Sequence, residues 1–263
     1  MTMTVALRAA ALAIGAVLAV PAGAADQSAV RIVPMPNPGE LTFEQRFPDL
    51  PPDAVARRQR SIAVMEAEGV PVNQWLPVIE AEAETRLPST EAVTMRAVAT
   101  LQVASKAVGL EQDSVDGISR DYALTAWLTP DERTFLADPD PSEQDRVVHS
   151  WRFEAAHVLF WSLGFVDRLD CPREMTDPGA MQRLILDGTR ETLLARAKLR
   201  PASEILDETD QIYRYRWALV DARINGRPAP AGLDDDVAME WHQALNWLIR
   251  HADEPWDEVS LDT

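Results

Sequence analysis

Residues 143–163 read EQDRVVHSWRFEAAHVLFWSL, and from Val147 onward the run is apolar on nearly every side, through Trp151, Phe153, Ala155, Ala156, Val158, Leu159, Phe160 and Leu163, until Gly164 stops it. A surface helix keeps a polar face, so a helix of this kind belongs in the middle of a bundle. The flanking segments repeat at the same period. Upstream, Ser89 and Thr90 precede Val93, Ala97, Leu101, Ala104 and Val108, the pattern of one amphipathic helix ended by Gly109. Thr129-Pro130-Asp131-Glu132 sets an N-cap, a first-turn proline and a capping-box acid in register, and Ser142 starts the 143–163 run. Downstream, Asp177-Pro178 and Thr189 open two shorter helices. Pro201 introduces a long one from Ala202 to about Ile224, and a last helix spans roughly Asp235 to His251. Val70 to Glu80 is the one stretch that could hold a short strand or hairpin. The expected fold is mainly α, a single-domain multi-helix bundle of about eight helices, whose short connections leave the topology open.

Six prolines between Pro34 and Pro52 remove backbone donors and fix φ, so residues 25–52 read as an extended proline-rich N-terminal arm, and the helical domain should occupy 53–263. Before the arm, Arg8, the uncharged run Ala9 to Val20, Pro21 and Ala22-Gly23-Ala24 follow the order of a secretory signal peptide cleaved near residue 24. The run is too short for a transmembrane helix, which needs about 20 apolar residues. A periplasmic or secreted location follows, with no membrane insertion after signal cleavage. Cys171 is the single cysteine, so no internal disulfide can form, and beside Pro172 it reads as a small apolar filler. Forty-two acidic residues against 25 basic give a net charge of -17, which repels nucleic acid and anionic lipid. The partners this charge admits are a basic protein surface or a small molecule.

Several blocks form an ordered series: Trp151-Arg152-Phe153-Glu154-Ala155; Glu204-Ile205-Leu206-Asp207 with Asp210; Tyr213-Arg214; Trp217-Ala218; Asp221-Ala222-Arg223; Asn225-Gly226; His242 with Ala244-Leu245-Asn246-Trp247-Leu248; and Trp256-Asp257 with Val259 and Asp262-Thr263. Over about residues 57–263 the chain resembles the bacterial domain-of-unknown-function family 4272. The resemblance brings no activity, cofactor or partner with it. The family's last helix looks like Arg-His-x-Ala-Leu-Asn-Trp-Leu, and Trp241 stands here where that Arg would be.

Three groups of residues could carry chemistry. Asp207, Asp210, Arg214, Trp217 and Asp221 recur at steps of three and four along one face of the long helix. They are either a solvated edge with an Asp210–Arg214 pair, or, because apolar residues fill most other directions, buried carboxylates that need partners. On the central helix Ser150, Glu154, His157 and Trp161 share a stripe, with Arg152 to one side. Ser150 and His157 stand about 10.5 Å apart along the axis, which excludes a catalytic triad. Glu154 and His157 can touch, either as an acid holding a general base or as the satisfied partner of a half-buried His. His242 and Asn246 are i, i+4 on the last helix. No spacing among the four histidines and one cysteine matches a metal site, and there is no glycine-rich phosphate loop or nucleophile elbow, so neither a metal nor a cofactor is expected. The helix tryptophans read as core, with Trp256 anchoring the tail, although a tryptophan-lined cleft is the other use of such residues. Two functional readings result. One is a non-catalytic protein that binds a basic partner through its acidic exterior. The other is a hydrolase using Glu154 with His157, or Asp207 with Asp210, as acid and base, with Arg152 or Arg214 holding an anionic group.

Overall fold

From Val93 to Ala107 every residue of the helix Thr90–Ala107 (α3) is shut away from solvent, and the rest of the molecule is assembled around it. The computed structural model describes residues 42–263, which form one body of helices with no strand among the described residues. In chain order the helices flanking α3 are α1 (Phe43–Arg46), α2 (Pro52–Glu68), α4 (Gln112–Asp121), α5 (Pro130–Ala137), α6 (Glu143–Ser150), α7 (Arg152–Ser162), α8 (Gly179–Leu186), α9 (Arg190–Arg196), α10 (Ala202–Ile224) and α11 (Asp235–Ile249). α3 packs on α4 to α9, α7 also packs on α11, and α10 lies between α11 and α2. The mainly α architecture is as the sequence indicates. The signal-peptide reading and residues 25–41 of the arm lie outside the described residues. Thr42 to Arg46, within the stretch read as extended, close a capping-boxed helical turn.

Ten of these helices exceed one turn, against the eight expected, and two causes account for the difference. α4 buries only Val115 and Ile118, too few apolar positions for its sequence to mark a helix. The run 143–163 is not one helix: Trp151 ends α6 and starts α7, with Glu154 N donating back to Trp151 O at 2.9 Å. The break lets α6 and α7 take separate lines across α3, and it leaves Val148 half exposed while α7 stays interior. Val70 to Glu80 is irregular and holds no strand.

The amphipathic reading of α3 also needs correction, since its polar side is as buried as its apolar one. The long polar side chains there draw partners from elsewhere in the chain, while Thr94 and Thr100 are satisfied within the helix and Gln102 Oε1 has no partner among the described residues. Arg96 pairs with Glu132 and donates to Trp127 O, Gln102 donates to Val115 O and Ser119 Oγ, and Lys106 donates to Gln112 Oε1, Leu136 O and Asp138 O. The helix ends follow local chemistry. Ser89, Thr129, Ser142 and Thr189 each accept a first-turn N–H. Gly69 and Gly164 take the left-handed conformation at the ends of α2 and α7 that a side chain would resist. Trp256 docks the tail, its carbonyl accepting from Gln243 and its ring meeting Trp247 edge-on at 5.6 Å.

Candidate functional site

α2, α10 and the segment 169–172 enclose a groove of about 340 Å³, floored by Trp241 and Leu245 of α11. α10 turns Asp207, Glu208, Gln211 and Tyr215 toward it, at the helical spacing that puts them on one side, and α2 contributes Arg57, Arg60 and Glu68. Asp207 takes a hydrogen bond from Arg60 Nη2 at 2.6 Å, and Arg57 Nε stands 3.3 Å away, too misaligned to donate. Arg57 is held by Asp53 and Glu80 O instead. Glu68 accepts the Tyr215 hydroxyl and lies 3.7 Å from Cys171 Sγ, and burial pushes the Cys171 thiol up, so it stays a thiol.

Glu208 is the exception in this groove. It is half-buried, and among the described residues no cation lies within ion-pair distance of it and no donor reaches it. Burial, with Asp207 beside it, raises its carboxyl to about 7. Gln211 Nε2, one turn on, is buried with no acceptor among the described residues. The sequence reading passed over Glu208, although Ile205 three residues before and Ile212 four after place it on an apolar stripe.

A second concavity of about 550 Å³ adjoins the groove and shares Asp170, Cys171 and Trp241 with it. His157 and Thr176 line it. Glu154 lies behind, 2% exposed, with its Oε1 accepting from Thr176 N at 2.7 Å and its Oε2 from Trp241 Nε1 at 3.1 Å. Burial raises its carboxyl to about 6 against the downward pull of these two bonds. His157 Nδ1 is hydrogen-bonded to Thr176 Oγ1 at 2.9 Å, its ring stacks on Trp241 at 5.8 Å, and burial lowers its pKa. Among the described residues no hydrogen bond joins Glu154 to His157; Thr176 stands between them, a residue that sequence spacing gave no reason to single out. Arg152 leaves this pair for α11, donating to Glu240 Oε2 at 3.2 Å and Gln243 Oε1 at 2.6 Å.

The other candidates lie elsewhere. Asp210 and Arg214, 0% and 1% exposed at their side chains, form a two-point buried ion pair at 2.8 Å, with Arg214 also donating to Pro77 O. The stripe on α10 is therefore buried at its middle and open at its ends, where Asp221 pairs with Arg227. His242 and Asn246 line a separate cavity beside residues 77–84. The eight candidates thus fall into distinct places: Asp207 in the groove, Glu154 and His157 beside it, Arg152 across to α11, Asp210 with Arg214 in the interior, and His242 with Asn246 apart. Among the described residues no three His, Cys, Asp or Glu side chains stand together as a metal ion requires, and no helix is long and apolar enough to cross a membrane.

The family model Domain of unknown function (DUF4272) matches residues 57–259, and the chain belongs to that family. No curated protein and no solved structure matches it. Trp241 supplies a single N–H donor to Glu154 and forms a wall common to both concavities.

Proposed function

We propose that the chain is an exported binding protein whose groove between α2 and α10 receives a lysine or arginine side chain from a basic partner. The observation that carries this reading is Glu208, a half-buried carboxyl that forms no ion pair among the described residues, although Arg200 pulls its pKa down and Arg57 and Arg60 line the same groove, which also holds Glu68, Asp170 and Asp207. A carboxyl held neutral by burial ionises when a cation arrives, so association should release a proton near neutral pH. The net charge of -17 favours and steers such an encounter. The hydrolase reading has less support, because Asp210 and Arg214 neutralise each other and Thr176 separates Glu154 from His157. Export rests on the order of residues 1–24, and sequencing the N-terminus of the secreted chain should find Ala25.

Calorimetric titration of the full chain with decalysine near pH 7 tests the binding reading. Expected are saturable, salt-sensitive binding, proton release revealed by buffers of different ionisation heat, and about tenfold weakening by Glu208→Gln, the scale of one charge-assisted contact. Glu143→Gln, which removes the same charge from an exposed site, should change affinity much less. Equal effects from the two substitutions would reduce the binding to bulk charge and defeat the proposal.

A further inference from the structure

The cavity beside residues 77–84 has a volume of about 470 Å³ and shares no lining residue with the groove. Val78, Ile79 and Ile249 give it apolar walls, His242 and Asn246 line it as neutral polar groups, and Glu80, Glu84 and Asp262 add carboxylates. Glu80 is engaged with His251 Nδ1 at 2.6 Å, whereas Asp262 has no cation partner among the described residues.

His242 is 1% exposed, and its neighbours fix its tautomer. Asn246 Nδ2 lies 2.9 Å from Ser260 O, a carbonyl that can only accept, so the amide must turn its NH₂ that way. The same nitrogen stands 3.1 Å from His242 Nε2 and spends its second hydrogen there. Nε2 is thus an acceptor, and a neutral imidazole with an accepting Nε2 carries its proton on Nδ1. The ring is neutral because burial, with Arg216 and His251 nearby, lowers its pKa to about 3. Among the described residues Nδ1 has no acceptor. Nδ1 is also closed to solvent in this structure, so a ligand's acceptor reaches it only where the cavity wall beside the ring gives way; a buried donor left in that condition is costly to the fold, and such an acceptor would relieve it.

We propose that this cavity binds a small organic cation whose apolar body carries an amide or ester carbonyl. The carbonyl accepts from His242 Nδ1, the body lies against Val78, Ile79 and Ile249, and the ammonium is drawn by Glu84 and Asp262. Apolar walls with a few fixed polar groups are the usual build of a small-molecule site, and the volume falls within the usual range of about 300–1,000 Å³. Carboxylate ligands are disfavoured by the three acidic side chains.

The test uses the full chain with ¹⁵N-labelled histidine, in which only four histidines contribute signals. Its ring nitrogens are followed during titration with 6-aminohexanamide, hexylamine and hexanoate. The unliganded spectrum should show His242 as the Nδ1–H tautomer. 6-Aminohexanamide should move that resonance saturably and bind about tenfold more tightly than hexylamine, which lacks the carbonyl, while hexanoate should not bind. Val78→Trp, which fills the cavity and leaves His242 in place, should abolish the response. An Nε2–H tautomer, an unmoved His242 signal, equal binding of the two amines, or binding that survives Val78→Trp would each overturn the proposal.

Discussion

Glu208→Gln probes the electrostatics of the groove through stability alone. In the folded chain burial, with Asp207 second, raises the Glu208 carboxyl from 4.5 to about 7. The unfolded chain exposes it, so there it titrates near the ordinary value of about 4.3. The folded state therefore holds this proton more tightly than the unfolded state. The stability tied to protonation is complete below the unfolded pKa and is lost as pH climbs from there through about 7. At about 1.4 kcal/mol for each factor of ten, a rise from about 4.3 to about 7 amounts to about 4 kcal/mol, and screening by the water that reaches a half-buried groove reduces it to about 2 kcal/mol. Glutamine keeps the shape and never ionises. The variant should match the parent within about 0.5 kcal/mol at about pH 4.5 and exceed it by about 2 kcal/mol at about pH 8.5, measured by urea unfolding followed through the helical circular dichroism signal. A difference that stays flat with pH, or a variant less stable than the parent at the alkaline end, refutes the reasoning.

Asp210→Ala leaves Arg214 charged, buried and unpaired, and should cost about 3–5 kcal/mol. Asp210→Leu combined with Arg214→Met should recover most of that loss in the same denaturant assay, and a neutral single variant would contradict a structural ion pair. Gly69→Ala forces an alanine into the left-handed end of α2 and should lower stability by about 1 kcal/mol, read as a drop in the thermal midpoint; an unchanged midpoint would show that the turn relaxes freely. His242 is held neutral, with its pKa lowered to about 3, so its ring should show no protonation down to about pH 4 in a histidine-resolved NMR titration. Ordinary titration near 6.5 would mean that the ring is exposed.

Punctuation of the helices was readable because its chemistry is local. Thr129, Pro130 and Glu132 act within one turn, and Gly164 stops α7 by its own backbone freedom. The burial of α3 was not readable, because nothing near Arg96, Gln102 or Lys106 indicates that Glu132, Val115 O and Leu136 O will reach them from residues 13 to 36 positions away. A pattern of period 3.6 treats each polar residue as outward-facing, and distant partners reverse that. The break at Trp151 was hidden for a related reason: the apolar run begins at Val147 near the end of α6 and passes through Trp151 into α7, so periodicity sees no boundary where packing against α3 imposes one. At the site, Glu154, His157 and Asp207, which the sequence offers as candidate acid and base groups, face or back a concavity, yet Thr176 and Trp241 reach Glu154 only through the tertiary fold. Glu208 was legible in principle from its apolar neighbours at i−3 and i+4, but the charge beside it, Asp207, drew the reading to the polar stripe instead.

The most direct measurement is the titration of the Glu208 side-chain carboxyl by ¹³C NMR in the full chain, alone and saturated with decalysine. A groove that supplies the anion for a partner's cation requires a carboxyl that titrates at about 7 when free and falls by about one pH unit or more when the peptide is bound. A carboxyl that titrates near 4.5 in the free chain, or one whose titration is the same with and without the peptide, contradicts the account.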